Sequence, residues 1–296
     1  MSIAGAIPRR KSTNGRIPPP WTVRLAGGAL RGLEKVSPAS AATCAGWLFC
    51  APRRHRPPDH ERRLLAGAER STLRVEGDSL PAWIWGQGPT VLLVHGWEGR
   101  AGQLGTLATA LAGAGVRAIA FDAPGHGGAR WRLSSGIQFA AAIHAARERF
   151  GPLRAVVAHS LGCTAASLAV LQGLQPQRLV FLAPAADLGR FTRGFGDLLG
   201  LAPATVRRME KRFDGRFSMR WDTARRANLE AAEFLADAPL LVVHDRDDHE
   251  VPHAGGAAIA DAWRRGRLLT THGLGHRRIL RHPQVVNEVV AFLAPR

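Results

Sequence analysis

The chain has 296 residues, enough for one large α/β domain with an insertion or for two small domains. Hydrophobic residues make up 46%, so a sizeable core can be buried, yet no apolar run approaches the roughly 20 residues of a membrane-spanning helix. The net charge of +17 comes almost wholly from arginine, but no basic stripe interleaved with aromatics and no nucleic-acid motif accompanies it, which argues against nucleic-acid binding.

Residues 1–20 are rich in Pro, Gly, Arg and Ser and are expected to be a disordered tail. Arg9, Arg10 and Lys11 are followed by no apolar segment, so no secretory signal is expected. Cys44, Cys50 and Cys163 fit neither a disulfide framework nor a metal cluster, and reduced thiols in a cytoplasm are the simplest account. Residues 21–71 read as a helical extension and a linker. Leu25, Leu30, Leu33 and Val36 are expected to share a helical face, and Pro52–Pro58 is the linker. Residues 21–56 read as surface packing; a weak contact with a membrane surface is the alternative, apolar with a basic border.

From Thr72 the pattern changes. Residues 72–76 alternate, and Ala82–Trp85 follows a turn, which predicts a hairpin. Apolar runs then predict strands at Thr90–His95, Arg117–Phe121, Ala155–His159, Arg178–Leu182, Leu240–His244 and Arg267–Thr270. Helical patterns fall between them, at 103–114, 137–150, 161–171, 254–263 and 283–293. Such alternation predicts a mostly parallel, doubly wound α/β sheet spanning residues 72–296. Residues 187–237 are too long for a plain loop and are rich in Phe, Leu and Met. They read as a helical cap inserted over the serine described next. Their arginines read as a solvated face, with attraction of an anionic substrate as the alternative.

Val156-Val157-Ala158-His159-Ser160-Leu161-Gly162 carries a serine between a buried strand and a helix, with small residues two before and two after it. That is the arrangement of a nucleophile elbow, whose tight turn excludes large flanking side chains. Ala158 stands where glycine is usual, and alanine is strained if φ there must be positive. From the pentapeptide alone, an ordinary loop with an exposed serine reads the same. In doubly wound sheets ligands bind beyond the carboxyl ends of the strands. Those ends carry His95-Gly96-Trp97, Asp122-Ala-Pro-Gly125-His126-Gly127, Asp245-Arg-Asp-Asp248-His-Glu-Val251-Pro252 and Gly273-Leu-Gly275-His276.

Taken together and in this order, these motifs resemble the α/β-hydrolase family, as bacterial serine esterase-like hydrolases show it. The resemblance runs from about Thr72 to the C-terminus. It implies that Ser160 is the nucleophile, His276 the general base and Asp248 the acid that orients it, because two residues separate Asp248 from Val251-Pro252. It implies an oxyanion hole from the backbone N–H groups of Trp97 and Leu161. Asp187, Asp245 and Asp247 are the alternative acids, and His253, His272 and His282 the alternative bases. His126 and His159 read as structural. His244, Asp245, Asp248 and His249 have poor spacing for a metal, and neither metal nor cofactor is expected. The implied activity is hydrolysis of a small-molecule carboxylic ester through an acyl-enzyme. Thioester hydrolysis or acyl transfer would use the same three residues, and a non-enzymatic binding protein on this scaffold is the rival from another class.

Overall fold

The computed structural model describes residues 20–130, 132–216, 220–235 and 237–294. The expectation for residues 1–19 lies outside them, as do Phe217 and Met219 of the segment expected to form a cap. In chain order come α1 (Trp21–Val36), α2 (Pro38–Phe49), α3 (Asp59–Ala66), β1 (Glu69–Val75), β2 (Asp78–Trp85) and β3 (Thr90–Val94). A short 3-10 turn, Ala101–Leu104, leads into α4 (Gly105–Gly113), β4 (Arg117–Phe121), α5 (Gly136–Phe150), β5 (Ala155–His159), α6 (Leu161–Leu171) and β6 (Arg178–Leu182). Then follow α7 (Gly189–Leu199), α8 (Pro203–Arg216), α9 (Trp221–Phe234), β7 (Leu240–Asp245), α10 (His253–Ala262), β8 (Gly266–Thr271), α11 (Gly275–Arg278) and α12 (Pro283–Leu293).

The strands form one eight-stranded sheet in the order β1-β2-β4-β3-β5-β6-β7-β8. β2 is antiparallel to β1 and β4, and every other pairing is parallel. The fold is therefore α/β, with a mostly parallel sheet flanked by helices. β3 and β5 are buried at every position, which is why their sequences are unbroken apolar runs rather than alternating ones. The pairings Val94↔Ala158, Ala158↔Phe181, Leu182↔Val243 and Asp245↔Thr271 bring the carboxyl ends of β3, β5, β6, β7 and β8 to one edge.

The sheet belongs to a unit made of Arg54–Ala186 and Arg226–Arg296. Its core gathers Val91, Leu93, Leu104, Leu107, Leu111, Val157, Val180, Leu182, Leu241, Val243 and Val289. α3 lies in this unit. Its one buried position is Glu61, whose carboxylate receives two hydrogen bonds from Arg100, at 2.5 and 2.9 Å. That ion pair adds to the docking of the helix, beside Leu65, which packs against the core, and Leu64, which lies against Gly105.

The second unit is made of Met1–Arg53 and Asp187–Arg225. Read separately in the sequence, the N-terminal helices and the insertion share one core here: Val23, Leu30, Ala42 and Ala45 pack with Phe195, Leu199, Val206, Met209 and Phe213. Phe49 meets Phe195 edge-on at 5.3 Å. Gly27 makes the close approach possible, because a Cβ there would lie 2.8 Å from the Leu199 carbonyl oxygen. The expected apolar face of α1 is corrected. Val23, Gly27 and Leu30 are buried, whereas Leu25 and Val36 point to solvent.

Candidate functional site

Ser160 sits between β5 and α6 with φ 52 and ψ −117, a backbone conformation that side chains other than glycine seldom adopt. Three close approaches hold it there. Ser160 N–H donates to the Leu182 carbonyl at 2.9 Å. A Cβ on Gly162 would lie 2.6 Å from the His95 carbonyl oxygen, so only glycine lets α6 start against the end of β3. A Cβ on Gly96 would lie 2.9 Å from Ser160 Cβ, so the turn after β3 passes directly beside the serine. The doubt about Ala158 is resolved by the backbone: the residue is an interior member of β5 and is absent from the positive-φ positions, so alanine is unstrained.

Asp248 follows β7 and His276 heads α11, and their side chains meet: His276 Nδ1 lies 2.7 Å from Asp248 Oδ2. Both residues are buried. The other carboxylate oxygen of Asp248 accepts from the N–H groups of Glu250 and Val251, at 2.8 and 2.9 Å. Burial pushes the Asp248 carboxyl upward, but hydrogen bonds from His244 and His276, together with the charge of His276, hold it well below the usual carboxylate range. Gly273 and Gly275, at φ 72 and 64, shape the turn that delivers His276.

The competing acids have other partners. Asp245 Oδ2 accepts from Thr271 Oγ1 at 2.7 Å and from Leu274 N–H at 3.0 Å, which pins the loop leading to His276. Asp247 accepts from Gly273 N–H at 2.8 Å. Asp187 is paired with Arg225 at 3.0 Å. Among the alternative bases, His253 contacts Thr270 Oγ1 at 3.0 Å, and His272 is exposed.

Two histidines do more than the sequence suggested. His159, the last residue of β5, has Nε2 2.9 Å from the His276 carbonyl oxygen, and the two rings are 4.7 Å apart. A carbonyl only accepts, so Nε2 carries the proton. Burial, and then the neighbouring His276, keep the His159 imidazole well below its ordinary pKa and therefore neutral. His244, fully buried in β7, has Nε2 3.4 Å from Asp248 Oδ2 and 3.2 Å from the Val251 carbonyl. A Cβ on Gly256 would lie 2.2 Å from its Nδ1, so glycine makes room for this ring. The signal was legible: histidines stand at or beside the carboxyl ends of β3, β5 and β7, at the edge where ligands bind in such sheets.

The turn after β3 is built on His95. Its Nε2 accepts from Ala123 N–H at 3.0 Å, which leaves Nδ1 to donate to the Gly96 carbonyl at 2.7 Å. Burial lowers its pKa to about 4. Asp122 spans the next loop, accepting from Ala101 N–H and Gly128 N–H, both at 2.8 Å. His126 stacks among Trp97, His95 and Phe139 with centroids 5.0–5.2 Å away, and burial lowers its pKa to about 3. Gly99 N–H donates to the Gly96 carbonyl at 3.0 Å, closing a turn that contains Trp97. Leu161 opens α6, so its N–H has no partner within the helix.

A sequence model described as the alpha/beta hydrolase family matches residues 91–289. No curated protein sequence matches the chain. Among solved structures it is similar to a putative lipase (lip1) from Acinetobacter baumannii AYE, at 17% identity and TM-score 0.60, covering 81% of this chain and 97% of that one. It is similar to the Pyrococcus furiosus esterase Pf2001 at 17% identity and TM-score 0.60, covering 82% and 95%. Est1E from Butyrivibrio proteoclasticus, solved with ferulic acid bound, aligns at 20% identity and TM-score 0.57, covering 76% and 96%. At these identities the likeness is one of fold.

Proposed function

The chain belongs to the alpha/beta hydrolase family, and from that premise we propose that it is a serine hydrolase cleaving a carboxylic ester through an acyl-enzyme. One observation carries the reading: the 2.7 Å contact of His276 Nδ1 with Asp248, in a histidine whose carbonyl is bonded to the residue preceding the strained Ser160. With Nδ1 committed to Asp248, Nε2 is the nitrogen left to take the proton from Ser160 Oγ.

Ser160 Oγ attacks the ester carbonyl carbon as its proton passes to His276. The negative charge moves to the carbonyl oxygen, where the N–H groups of Leu161 and Trp97 receive it. Each such donor is worth about 2.7–4 kcal/mol in the transition state. The N-terminus of α6 adds a partial positive charge at the same place. Collapse expels the alcohol, which takes the proton from His276, and leaves the acyl group on Ser160. Water then repeats the sequence and releases the acid. Asp248, held ionised by its hydrogen bonds, stabilises the imidazolium in both halves.

The esterase and lipase folds among its structural neighbours support an ester as the substrate class. A fluorophosphonate probe tests the reading. It should label the protein and fail to label Ser160→Ala. Equal labelling of both, or hydrolysis of p-nitrophenyl esters by Ser160→Ala at the rate of wild type, overturns it.

A further inference from the structure

Helix α1 has two unlike sides. Val23, Gly27 and Leu30 face inward in their unit. At about 100° per residue, the opposite side carries Trp21, Leu25, Ala29 and Val36, with Gly28 and Gly32 between them and Arg24, Arg31 and Lys35 along its flank. Trp21 is 71% exposed, Leu25 63% and Val36 86%. The helix has one acidic residue, Glu34, which lies off this side and accepts from Ala202 N–H at 3.1 Å. A cavity of about 610 Å³ opens alongside, with Trp21, Leu25 and Leu198 in its walls together with Arg24, Arg31 and Asp197. Arg31 is held in place by the Leu199 carbonyl at 2.7 Å.

We infer that this side of α1 is a docking surface for an anionic lipid bilayer. Trp21 and Leu25 enter the headgroup boundary, and Arg24, Arg31 and Lys35 meet the lipid phosphates. Large apolar side chains held in solvent along one helix side cost free energy unless something covers them. A basic flank beside an apolar stripe, with tryptophan at its end, matches the layered chemistry of a membrane surface. Charge selects this occupant over a second copy of the chain, because a two-fold contact through α1 would set two sets of three cations against each other. The preceding sequence adds Arg9, Arg10, Lys11 and Arg16 without an acidic residue, so attraction to anionic lipid extends past the helix.

The test is sedimentation of the full-length protein with phosphatidylcholine vesicles and with vesicles that also contain phosphatidylglycerol. Wild type should sediment with the phosphatidylglycerol vesicles, less so as salt is raised. Trp21→Ser with Leu25→Ser should weaken that partitioning roughly tenfold or more. Arg24→Gln with Lys35→Gln should weaken it on the order of tenfold on the anionic vesicles alone. Both variants change only exposed side chains, so their circular dichroism and thermal midpoints should match wild type. Wild type left in the supernatant with every vesicle overturns the inference, as does sedimentation of both variants like wild type. A wild-type dimer that Trp21→Ser with Leu25→Ser converts to monomer, without vesicle binding, would assign the face to self-association instead.

Discussion

His159 donates its Nε2–H to the main-chain carbonyl of His276, 2.9 Å away, although 117 residues separate the two. The bond ties the end of β5 to the start of α11, and so ties the segment bearing Ser160 to the one bearing His276, the proposed base. His159→Phe should leave that buried carbonyl without a donor, a loss of about 1–3 kcal/mol in stability. It should also lower kcat/KM by roughly one to two orders of magnitude, because a loosely held base costs rate steeply. His159→Gln, which can still donate, should recover part of both. Steady-state kinetics beside urea unfolding would check this, and rates unchanged in His159→Phe would refute the positioning role.

Asp248→Asn keeps the shape of the carboxylate and removes its charge. An amide in that position can donate to His276 Nδ1 and so favour the wrong tautomer. The expected loss in kcat is on the order of 10³–10⁴-fold, with KM little changed. His244→Phe removes a second donor from the same oxygen and should cost less, since the N–H groups of Glu250 and Val251 still hold Asp248 in place. Pre-steady-state acylation rates would separate the two effects.

The elbow motif departs from its usual form at Ala158, and the backbone there is ordinary strand. Ala158→Gly should therefore leave kcat/KM within about twofold and destabilise by roughly 0.5–1 kcal/mol through added freedom in the unfolded chain. Gly162→Ala is the contrasting change, because its Cβ would press on the Val94 and His95 carbonyl oxygens at 2.7 and 2.6 Å. Neither oxygen can retreat without moving β3. Ester hydrolysis should fall at least roughly a hundredfold. A gain in activity from Ala158→Gly would show that the departure does carry a cost.

Acid should destabilise the sheet-bearing unit through its buried neutral imidazoles. The ordinary histidine pKa of 6.5 falls to about 4 at His95 and about 3 at His126. The unfolded chain therefore takes up protons that the folded chain refuses as pH drops below 6.5. The stability these neutral rings contribute is present above pH 6.5 and is lost progressively toward pH 4 and 3. Asp122, whose pKa burial raises, acts in the opposite sense at the acid end. His126→Phe loses the contact of Nδ1 with the Pro124 carbonyl, so its stability at pH 7 should drop by about 1 kcal/mol. Its stability should then fall less steeply than wild type between pH 6.5 and 4, by urea midpoints taken at several pH values. A parallel fall would rule out His126 as a source of the acid sensitivity.

The fold class was legible because it rests on local periodicity: unbroken apolar runs for strands buried on both faces, alternating with helical patterns. The order of serine, acid and histidine, each beyond its own strand, was legible for the same reason, since a parallel sheet sends all those ends to one edge. Boundaries read this way too, to within a residue or two at β5, α6 and β6. Other features were invisible to pattern. The fully buried position of α3 is a charge, Glu61 paired with Arg100. The joint core of Phe49 with Phe195 and Phe213 links segments more than a hundred residues apart. The outward turn of Leu25 and Val36 depends on which side of α1 the helices of its unit occupy.

Sequence alone, then, determined the class of sheet and which residues stand at its carboxyl edge, because side-chain period and chain direction are local properties. Only the tertiary structure showed that the side chains of Asp248 and His276, which the motifs had singled out, meet each other, that Asp248 answers to His244 as well, and that His159 holds the loop bearing His276. Those are contacts a few ångströms wide between distant segments, and their geometry is set by packing rather than by any repeat along the chain.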